Sequence, residues 1–461
     1  MPRTNATVPS GDEFAAPDSV SDAGLTITAR WEKPLVPSTG GEGILLVRIN
    51  AAPQPERDSS TRRAPIDVAF VLDRSGSMAG ERLALAKEAV DVAVSHLGDE
   101  DRAALVVYDQ AVETLQRLDR ATSRTKTALR LALHGVDAGG STDLGTGWLT
   151  GCGELSRDLP DARPGADGAD GGAVRLRRAL LLTDGLANVG ITNPAELTHH
   201  AAELRKRGVA TTTLGVGLGF NEDLLAGMAE AGGGNFQFVE RADQLRAFFE
   251  RELSELLTIV AAGPSLTLTL PSGVEGRLVN AFPTTGDGED GGTGPTGRRL
   301  NVSLRDLAAG DALDLIFVLT VDAAALGTTR YLHLTATWAD PATDSQRTAE
   351  LRPAPLTHAE PTVIAATEPD PDVAGPAARQ RAAAAHQAAI RLDREGRYAE
   401  SRARLREGVA FLMAAPASAD LGADLNVAQF YASHVADAPM PESTRKRAMS
   451  DSHRRSRGNR E

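Results

Sequence analysis

Short, almost wholly apolar segments alternate with helical segments between residues 66 and 257, and this alternation limits the folds open to the chain. In order, the apolar segments are IDVAFVLD, AALVVYD, ALLLTDG, ATTTLGVG and GNFQFVE. Strands without polar alternation are typical of a sheet covered on both faces. The helical segments between them supply the crossovers that parallel strands need. The pattern therefore predicts a doubly wound, mostly parallel α/β sheet.

Helices are expected between these strands and after the last of them. Their predicted ranges are 81–97, 123–134, 144–156, 194–206, 222–230 and 242–257. The segment AVETLQRL follows Asp109 too closely for a crossover helix, so we expect it to be an antiparallel edge strand.

Segments that alternate apolar and polar residues flank this unit on both sides. LTITARW (25–31) and ILLVRINA (44–51) precede it, and SLTLTL, GRLVN, RLNVSL, LDLIFVLTV, YLHLTATW and RTAELRP follow it. Alternation of this kind is typical of half-buried strands. Because two strands alone are marginal in water, we expect the early strands to join the later ones in one antiparallel β-sandwich, with the α/β unit inserted in it.

These patterns divide the chain into six regions. They are a disordered leader at 1–21, N-terminal sandwich strands at 22–56, the α/β unit at 63–258, the remainder of the sandwich at 262–357, a helical region at 376–436 and a disordered basic tail at 441–461. The helical region breaks at Glu395 and Gly396, which predicts an α-helical hairpin. The string GRYAESRARL resembles a tetratricopeptide unit, but such units need about three copies to bury their faces, so a helical cap is favoured over a repeat array.

Charge and cysteine content limit the partners and the compartment. The 49 basic and 62 acidic residues give a formal net charge of −13, which argues against nucleic acid as the partner of the whole chain. The Arg-rich stretch 445–461 is the local exception, so a nucleic-acid contact through this tail stays open. The single cysteine, Cys152, excludes an intramolecular disulfide. The N-terminus has no apolar signal stretch, and no apolar run is long enough to span a membrane, so we expect a cytoplasmic protein with no membrane partner.

Oxygen-bearing side chains gather where three loops leave the predicted sheet. DRSGSM, after the first strand, contains Asp73, Ser75 and Ser77, whereas Thr142 lies in GGSTDLGTG and Asp184 ends LLLTDG. Ligands of open α/β sheets collect at the carboxyl ends of the strands. Hard oxygen donors suit Mg²⁺, Mn²⁺ or Ca²⁺. The sequence therefore predicts a divalent-metal site made by these five residues.

The three motifs together, D-x-S-x-S, a later Thr after Gly-Gly and T-D-G after an apolar strand, resemble the metal-ion-dependent adhesion site of von Willebrand factor A (vWA) domains. The resemblance covers about residues 66–257. It implies that Ser75 and Ser77 ligate the metal directly, that Thr142 does so directly or through water, and that Asp73 and Asp184 act mostly through bound water. It also implies that a carboxylate of a partner protein fills the open coordination position. The wider layout is similar to bacterial relatives of the inter-alpha-trypsin inhibitor heavy chains.

Other interpretations of the same residues fit the sequence less well than the metal site. Alone, DRSGS is compatible with a helix N-cap and TDG with a turn. The string GSMAG around Ser77 is similar to a nucleophile elbow, but it lacks the first glycine in register, and no histidine follows at a matching strand end. His199 and His200 are adjacent on a helix and face different ways, and Cys152 between two glycines is typical of a small buried residue.

The sequence thus predicts a non-enzymatic, metal-dependent protein-binding scaffold whose partner presents an Asp or Glu side chain to Mg²⁺, Mn²⁺ or Ca²⁺. Two alternatives from other classes remain. One is an accessory subunit of a chelatase-like or MoxR-type AAA+ ATPase system, and the other is a nucleic-acid contact through the Arg-rich tail.

Overall fold

The computed structural model describes residues 18–53, 63–157, 175–241, 244–286, 298–416, 418–434 and 439–458. Its first strands precede the α/β unit and are β1 (Asp18–Asp22), β2 (Leu25–Trp31), β3 (Leu35–Pro37) and β4 (Gly41–Ala51). Along β2 every second side chain is buried, as expected where one face of a strand covers a core.

A six-stranded sheet forms the centre of the α/β unit. Its strands are β5 (Ile66–Asp73), β6 (Arg102–Tyr108), β7 (Val112–Arg120), β8 (Leu176–Thr183), β9 (Val209–Val216) and β10 (Gly233–Val239). They lie in the order β10-β9-β8-β5-β6-β7, and only β7 pairs antiparallel to its neighbour. All residues of β5 and β9 are buried. The predicted parallel sheet and its antiparallel edge strand are confirmed.

Helices cover both faces of this sheet. They are α1 (Glu81–His96), α2 (Ser123–His134), α3 (Leu144–Ser156), α4 (Pro194–Lys206), α5 (Glu222–Ala231) and α6 (Leu245–Leu256), and a 3₁₀ turn at Gly76–Met78 precedes α1. Polar side chains accept backbone N–H groups at several helix starts, including Thr122, Asp143, Asn193 and Asn221. One apolar cluster joins the sheet to α1, α2 and α6, and another joins it to α3, α4 and α5. The sheet is therefore doubly wound, as predicted.

The strands after α6 build an antiparallel region. They are β11 (Ile259–Leu270), β12 (Val274–Leu278), β13 (Thr284–Gly286), β14 (Arg298–Ser303), β15 (Leu307–Ala308), β16 (Ala312–Val321), β17 (Thr329–Asp340) and β18 (Ser345–Ala359). Together with the N-terminal strands they form a five-stranded sheet, β1-β2-β4-β16-β12, and a seven-stranded sheet, β13-β14-β11-β17-β18-β3, in which β15 also pairs with β11.

Strand β4 connects the early part of the chain to the later part. It pairs antiparallel with β16 from Gly41 opposite Val321 to Asn50 opposite Ala312. Strand β3 adds to the other sheet by pairing with β18. One apolar core lies between the two sheets and includes Trp31 and Trp338. The α/β unit is thus inserted between β4 and β11 of one sandwich, as the sequence predicts.

Buried ion pairs connect the α/β unit to the sandwich. Arg178 on β8 lies 2.8 Å from Glu252 and 2.9 Å from Asp306, and Arg205 near the end of α4 lies 2.7 Å from Asp306. Burial raises the pKa of Asp306, but the charges of Arg205 and Arg178 outweigh burial and bring it to about 2. Asp306 therefore stays ionised and bridges the two regions of the fold.

Helices form the C-terminal part of the chain. They are α7 (Pro361–Ala366), α8 (Pro371–Arg394), α9 (Tyr398–Ala414), α10 (Ala419–His434) and α11 (Glu442–Ser456). The predicted hairpin is present, since α8 and α9 pack together and the chain turns at Gly396 with a φ of 76°. The helical region begins earlier than the predicted residue 376, because Pro361 and Pro371 occupy first-turn positions that tolerate proline. Among the described residues, no helix is both long and apolar enough to cross a membrane.

The prediction of a disordered tail at 441–461 is wrong for the residues that the structure describes there. Helix α11 lies across the edge strand β10, with Lys446 and His453 fully buried, and Arg457 directly after the helix is fully buried as well. The ring Nε2 of His453 accepts the backbone N–H of Phe236 at 3.3 Å. An edge strand leaves N–H groups that need partners. Polar side chains of α11 supply these partners. Because the buried face of this helix is largely polar, its low apolar content wrongly predicted disorder.

The charged residues of α11 contact the α/β unit. The carboxylate of Glu222, the first residue of α5, is fully buried and lies 2.6 Å from Arg445, 3.1 Å from Lys446 and 2.6 Å from Arg394 of α8. Burial raises the pKa of Glu222, but the hydrogen bond from Arg445 and the charges of Arg394 and Lys446 outweigh burial and lower it. One carboxylate thereby holds two C-terminal helices against α5.

The predicted leader at 1–21 also needs a correction. Residues 18–21 belong to strand β1, in which Val20 lies opposite Ile27 of β2, because this short segment completes the edge of the five-stranded sheet. Residues 1–17 and 459–461, which the sequence assigns to the leader and the tail, lie outside the described residues.

We predict that Glu222→Gln destabilises the fold by about 3 to 5 kcal/mol, since it removes the buried carboxylate beside Lys446 and leaves that buried ammonium only the half-exposed carboxylate of Glu442. Chemical denaturation measures the loss, and hydrogen exchange should show faster exchange of the α11 amides. Glu275→Gln is the matched control, because its ion pair with Arg298 is exposed and surface changes stay within about 0.5 kcal/mol. Equal stability of the two variants would contradict the assignment.

Candidate metal centre

All five predicted ligand residues lie at the carboxyl edge of the parallel sheet. Asp73 is the last residue of β5, and Ser75 and Ser77 follow it in the turn before α1. Asp184 directly follows β8, and Thr142 precedes α3. Strands β5 and β8 are parallel neighbours, so their carboxyl ends meet at the same edge.

The hydroxyl groups of this site face one another across the loops. Ser77 Oγ donates to Asp184 Oδ1 at 2.6 Å and lies 3.2 Å from Ser75 Oγ. A Cβ atom at Gly185 would lie 3.3 Å from Thr142 Oγ1 and 3.7 Å from Ser77 Oγ. The structure therefore brings the predicted residues of all three loops together.

Asp73 lies beneath the hydroxyl groups and is fully buried. Its Oδ1 accepts the backbone N–H of Ser75 at 2.7 Å, and its Oδ2 accepts the hydroxyl of Thr183 at 2.6 Å. Burial raises the pKa of Asp73, and the hydrogen bonds from Ser75 and Thr183 act in the opposite direction. The carboxylate thus holds the first loop against the end of β8.

Backbone hydrogen bonds connect the first two loops. The N–H of Gly76 donates to Gly140 O at 3.1 Å, and the N–H of Gly139 donates to Arg74 O at 2.8 Å. Gly140 has a φ of 72°, and a Cβ there would come within 3.1 Å of Asp109 Oδ2. This turn therefore requires glycine.

Arg82 is a member of the site that the sequence did not reveal. Its guanidinium Nη1 donates to Asp184 Oδ2 at 2.6 Å and to Ser77 O at 3.2 Å, while its side chain stays 45% exposed. A cation in the first turn of a helix opposes the helix dipole. An arginine at the second residue of α1 therefore indicates that an anion lies close to its guanidinium.

The donor set fits a hard divalent cation. Ser77 gives its hydroxyl proton to Asp184, so the lone pairs of its oxygen stay available to a metal. In the described part of the chain, no three or more His, Cys, Asp or Glu residues gather as a metal site, so hydroxyl groups must complete any ligand set. Ser75, Ser77 and Thr142 would hold the ion, with Asp73 and Asp184 behind them, and oxygen donors favour Mg²⁺, Mn²⁺ or Ca²⁺.

The other residues considered from the sequence lie outside this site. The rings of His199 and His200 on α4 are 6.2 Å apart at an angle of 52°, and His200 Nε2 lies 4.0 Å from Glu196. Cys152 is buried on α3, and burial raises the pKa of its thiol to about 12. A thiol with such a pKa stays protonated near neutral pH and is a poor nucleophile.

Comparison with known proteins agrees with this architecture. Residues 67–251 match the family model of the von Willebrand factor type A domain. The uncharacterized protein YfbK of Escherichia coli is 27% identical over 310 residues, which are 65% of this chain and 48% of YfbK. Human inter-alpha-trypsin inhibitor heavy chain H3 is 29% identical over 199 residues, which are 42% of this chain and 22% of the heavy chain.

A solved structure extends the likeness beyond the matched domain. The von Willebrand factor type A protein from Catenulispora acidiphila superposes with a TM-score of 0.71 over 97% of this chain and 99% of that chain, at 18% sequence identity. That likeness is one of fold, and it includes the sandwich and the C-terminal helices. This chain spans about half the length of YfbK and about a fifth of the heavy chain. Residues 67–251 therefore form a von Willebrand factor type A domain, and this domain is inserted in a β-sandwich.

Proposed function

We propose that this chain is a non-enzymatic, divalent-metal-dependent scaffold that captures an Asp or Glu carboxylate of a partner protein. The observation that carries the proposal is the convergence of Ser75, Ser77 and Thr142 above two buried carboxylates, with Ser77 exposed at the surface. Such a site has an open side from which a partner can reach the metal.

The chemistry of the donor set favours an anion as the added ligand. When bound, a divalent cation supplies an electrophilic centre that neutral hydroxyl ligands neutralise only partly. Asp184 is shared between Ser77 and Arg82, and Asp73 is shared between Ser75 and Thr183. These two carboxylates orient the loops, while Arg82 adds a second positive charge at the opening.

The surroundings of Ser77 argue for binding over catalysis. Its hydroxyl contacts Asp184 and Ser75, and no histidine of the described residues forms a hydrogen bond with it. A serine nucleophile needs an adjacent base that is itself oriented by a third group. The site therefore lacks the Ser-His pair of a hydrolase within the described ranges.

The alternatives have less support. The Arg-rich tail folds as α11 up to Ser456, and its cations are paired: Arg445 and Lys446 contact Glu222, Arg447 contacts Glu240 and Arg455 contacts Asp424. Cations engaged in this way are less available to phosphate groups, which weighs against nucleic-acid binding through the tail. An AAA+ ATPase as the partner, and a cytoplasmic location, stay predictions.

We predict that Ser77→Ala weakens Mg²⁺ and Mn²⁺ binding by about ten-fold or more, since it removes a donor oxygen and changes to the residues around a metal site already cost about 10- to 100-fold. Calorimetric titration of the full chain measures the change. Ser77 suits this test better than Asp73, whose removal would leave buried donors of Ser75 and Thr183 without their acceptor.

Ser95→Ala is the matched control for Ser77→Ala, because Ser95 is an exposed serine at the far end of α1 whose hydroxyl donates to Val92 O. We expect its metal affinity to equal that of the wild type. Equal affinities in all three proteins would place the metal elsewhere and refute the site.

We also predict that capture of the partner from native extract needs both the metal and Ser77. The wild type with Mg²⁺ should retain a protein that neither the EDTA-treated wild type nor Ser77→Ala retains, because each of these lacks the contact between metal and carboxylate. Substitution of the contacting Asp or Glu in the captured protein by Asn or Gln should abolish retention. Retention that survives chelation would contradict docking through the metal.

A further inference from the structure

Large apolar side chains remain exposed around the opening of the metal centre. Leu186 is 54% exposed, Leu218 is 43% exposed and Val189 is 37% exposed. Single exposed apolar residues are ordinary on a protein surface. These three, however, belong to two loops that both touch the predicted metal ligands, which makes them one feature of the site.

Leu186 and Val189 follow Asp184 in the loop after β8. Leu186 comes directly after Gly185, whose Cβ position lies 3.3 Å from Thr142 Oγ1. The backbone N–H of Val189 donates to Thr142 O at 3.3 Å. Both apolar residues are thereby placed beside the hydroxyl ligands.

Leu218 reaches the same opening from the loop between β9 and α5. Before it, Gly217 has a Cβ position 3.3 Å from the Arg82 guanidinium. After it, Gly219 packs so closely that a Cβ would lie 2.4 Å from Asp184 O, which excludes any larger residue. Leu218 therefore lies between the contacts to Arg82 and to Asp184.

The C-terminal part of the chain anchors this second loop. The buried ammonium of Lys446 donates to Phe220 O and lies 3.1 Å from Glu222, the residues that end the loop. Phe220 itself is buried. At the start of the loop the backbone N–H of Gly217 donates to Val239 O at 2.9 Å. Leu218 is thus presented by a loop held at both ends, and its exposure is a feature of an ordered surface.

We propose that Leu186, Val189, Leu218 and Arg82, called here the rim, form a partner-binding surface around the metal. It fits a protein segment in which an Asp or Glu is flanked by large apolar side chains. This inference rests on the proposed function, since the metal receives the carboxylate. Arg82 adds charge complementarity, and the apolar residues provide a surface whose removal from water favours association.

The partner chemistry can be tested without knowledge of the natural partner. A library of random peptides displayed on phage is selected on the full-length chain with Mg²⁺, and bound phage are eluted with EDTA. We expect the eluted peptides to share an Asp or Glu with Leu, Ile, Val, Met or Phe next to it. A synthetic peptide of the enriched sequence then serves as the probe for variants.

The triple variant Leu186→Ser, Val189→Ser and Leu218→Ser tests the rim itself. Its Mn²⁺ affinity by calorimetry should equal that of the wild type, because no ligand is changed, while its affinity for the probe should fall by about ten-fold or more. Leu326→Ser is the matched control, since Leu326 is 51% exposed in a loop of the sandwich. It should bind the probe as the wild type does.

Each other result has a distinct meaning. Acidic peptides with polar neighbours, or an unchanged affinity of the triple variant, overturn the rim and leave docking at the metal intact. The absence of any peptide that EDTA elutes overturns both proposals. A metal-dependent dimer in sedimentation that the triple variant abolishes would make a second copy of this chain the occupant and overturn the assignment to a separate partner.

Discussion

The parallel pairing of β5 with β8 is the constraint on which the site depends. Because both strands run in the same direction, the chain leaves them at one edge, and the loops that begin with Asp73 and Asp184 must meet there. Side chains separated by more than 100 positions then share hydrogen bonds, as Ser77 and Asp184 do. The crossover helices that make the strands parallel also cover the sheet, so the same topology builds the core and brings the predicted ligands together.

Buried polar contacts hold the parts of this chain together. Asp306 receives two arginines where the α/β unit meets the sandwich, and Glu222 receives three cations from α8 and α11. Removing such charges from water costs free energy, so their contribution to net stability is modest. Their main effect is to fix how these parts of the chain are placed relative to one another, because a buried charge stays paired in only a few arrangements.

One of these contacts reaches the metal centre. Lys446 on α11 holds the end of the loop that presents Leu218, and the same loop packs against Asp184 and Arg82. The last helix, distant in sequence from every predicted ligand, therefore supports the surface around the site. Exposed apolar side chains on these loops thereby lie beside a polar centre of hydroxyls and carboxylates, and the proposed recognition of an acidic residue between apolar neighbours rests on this arrangement.

The sequence by itself determined the elements whose evidence is local. Apolar runs and helical spacing identified the strands and helices of the vWA domain within a few residues, including the antiparallel edge strand β7, because side-chain periodicity follows directly from strand and helix geometry. The spacing of D-x-S-x-S, Thr142 and T-D-G named five residues that the fold brings together. Only the tertiary structure decided the role of Arg82, the fold of α11 and the position of Leu186, Val189 and Leu218 around the site. Their partners lie far away in sequence: His453 contacts Phe236, 217 positions earlier, and Lys446 contacts Glu222, 224 positions earlier. From its sequence alone, a helix rich in arginine is expected to be exposed to solvent. Its burial depends on carboxylates and edge N–H groups that lie far away in sequence, and burial of polar groups leaves no periodic pattern of its own.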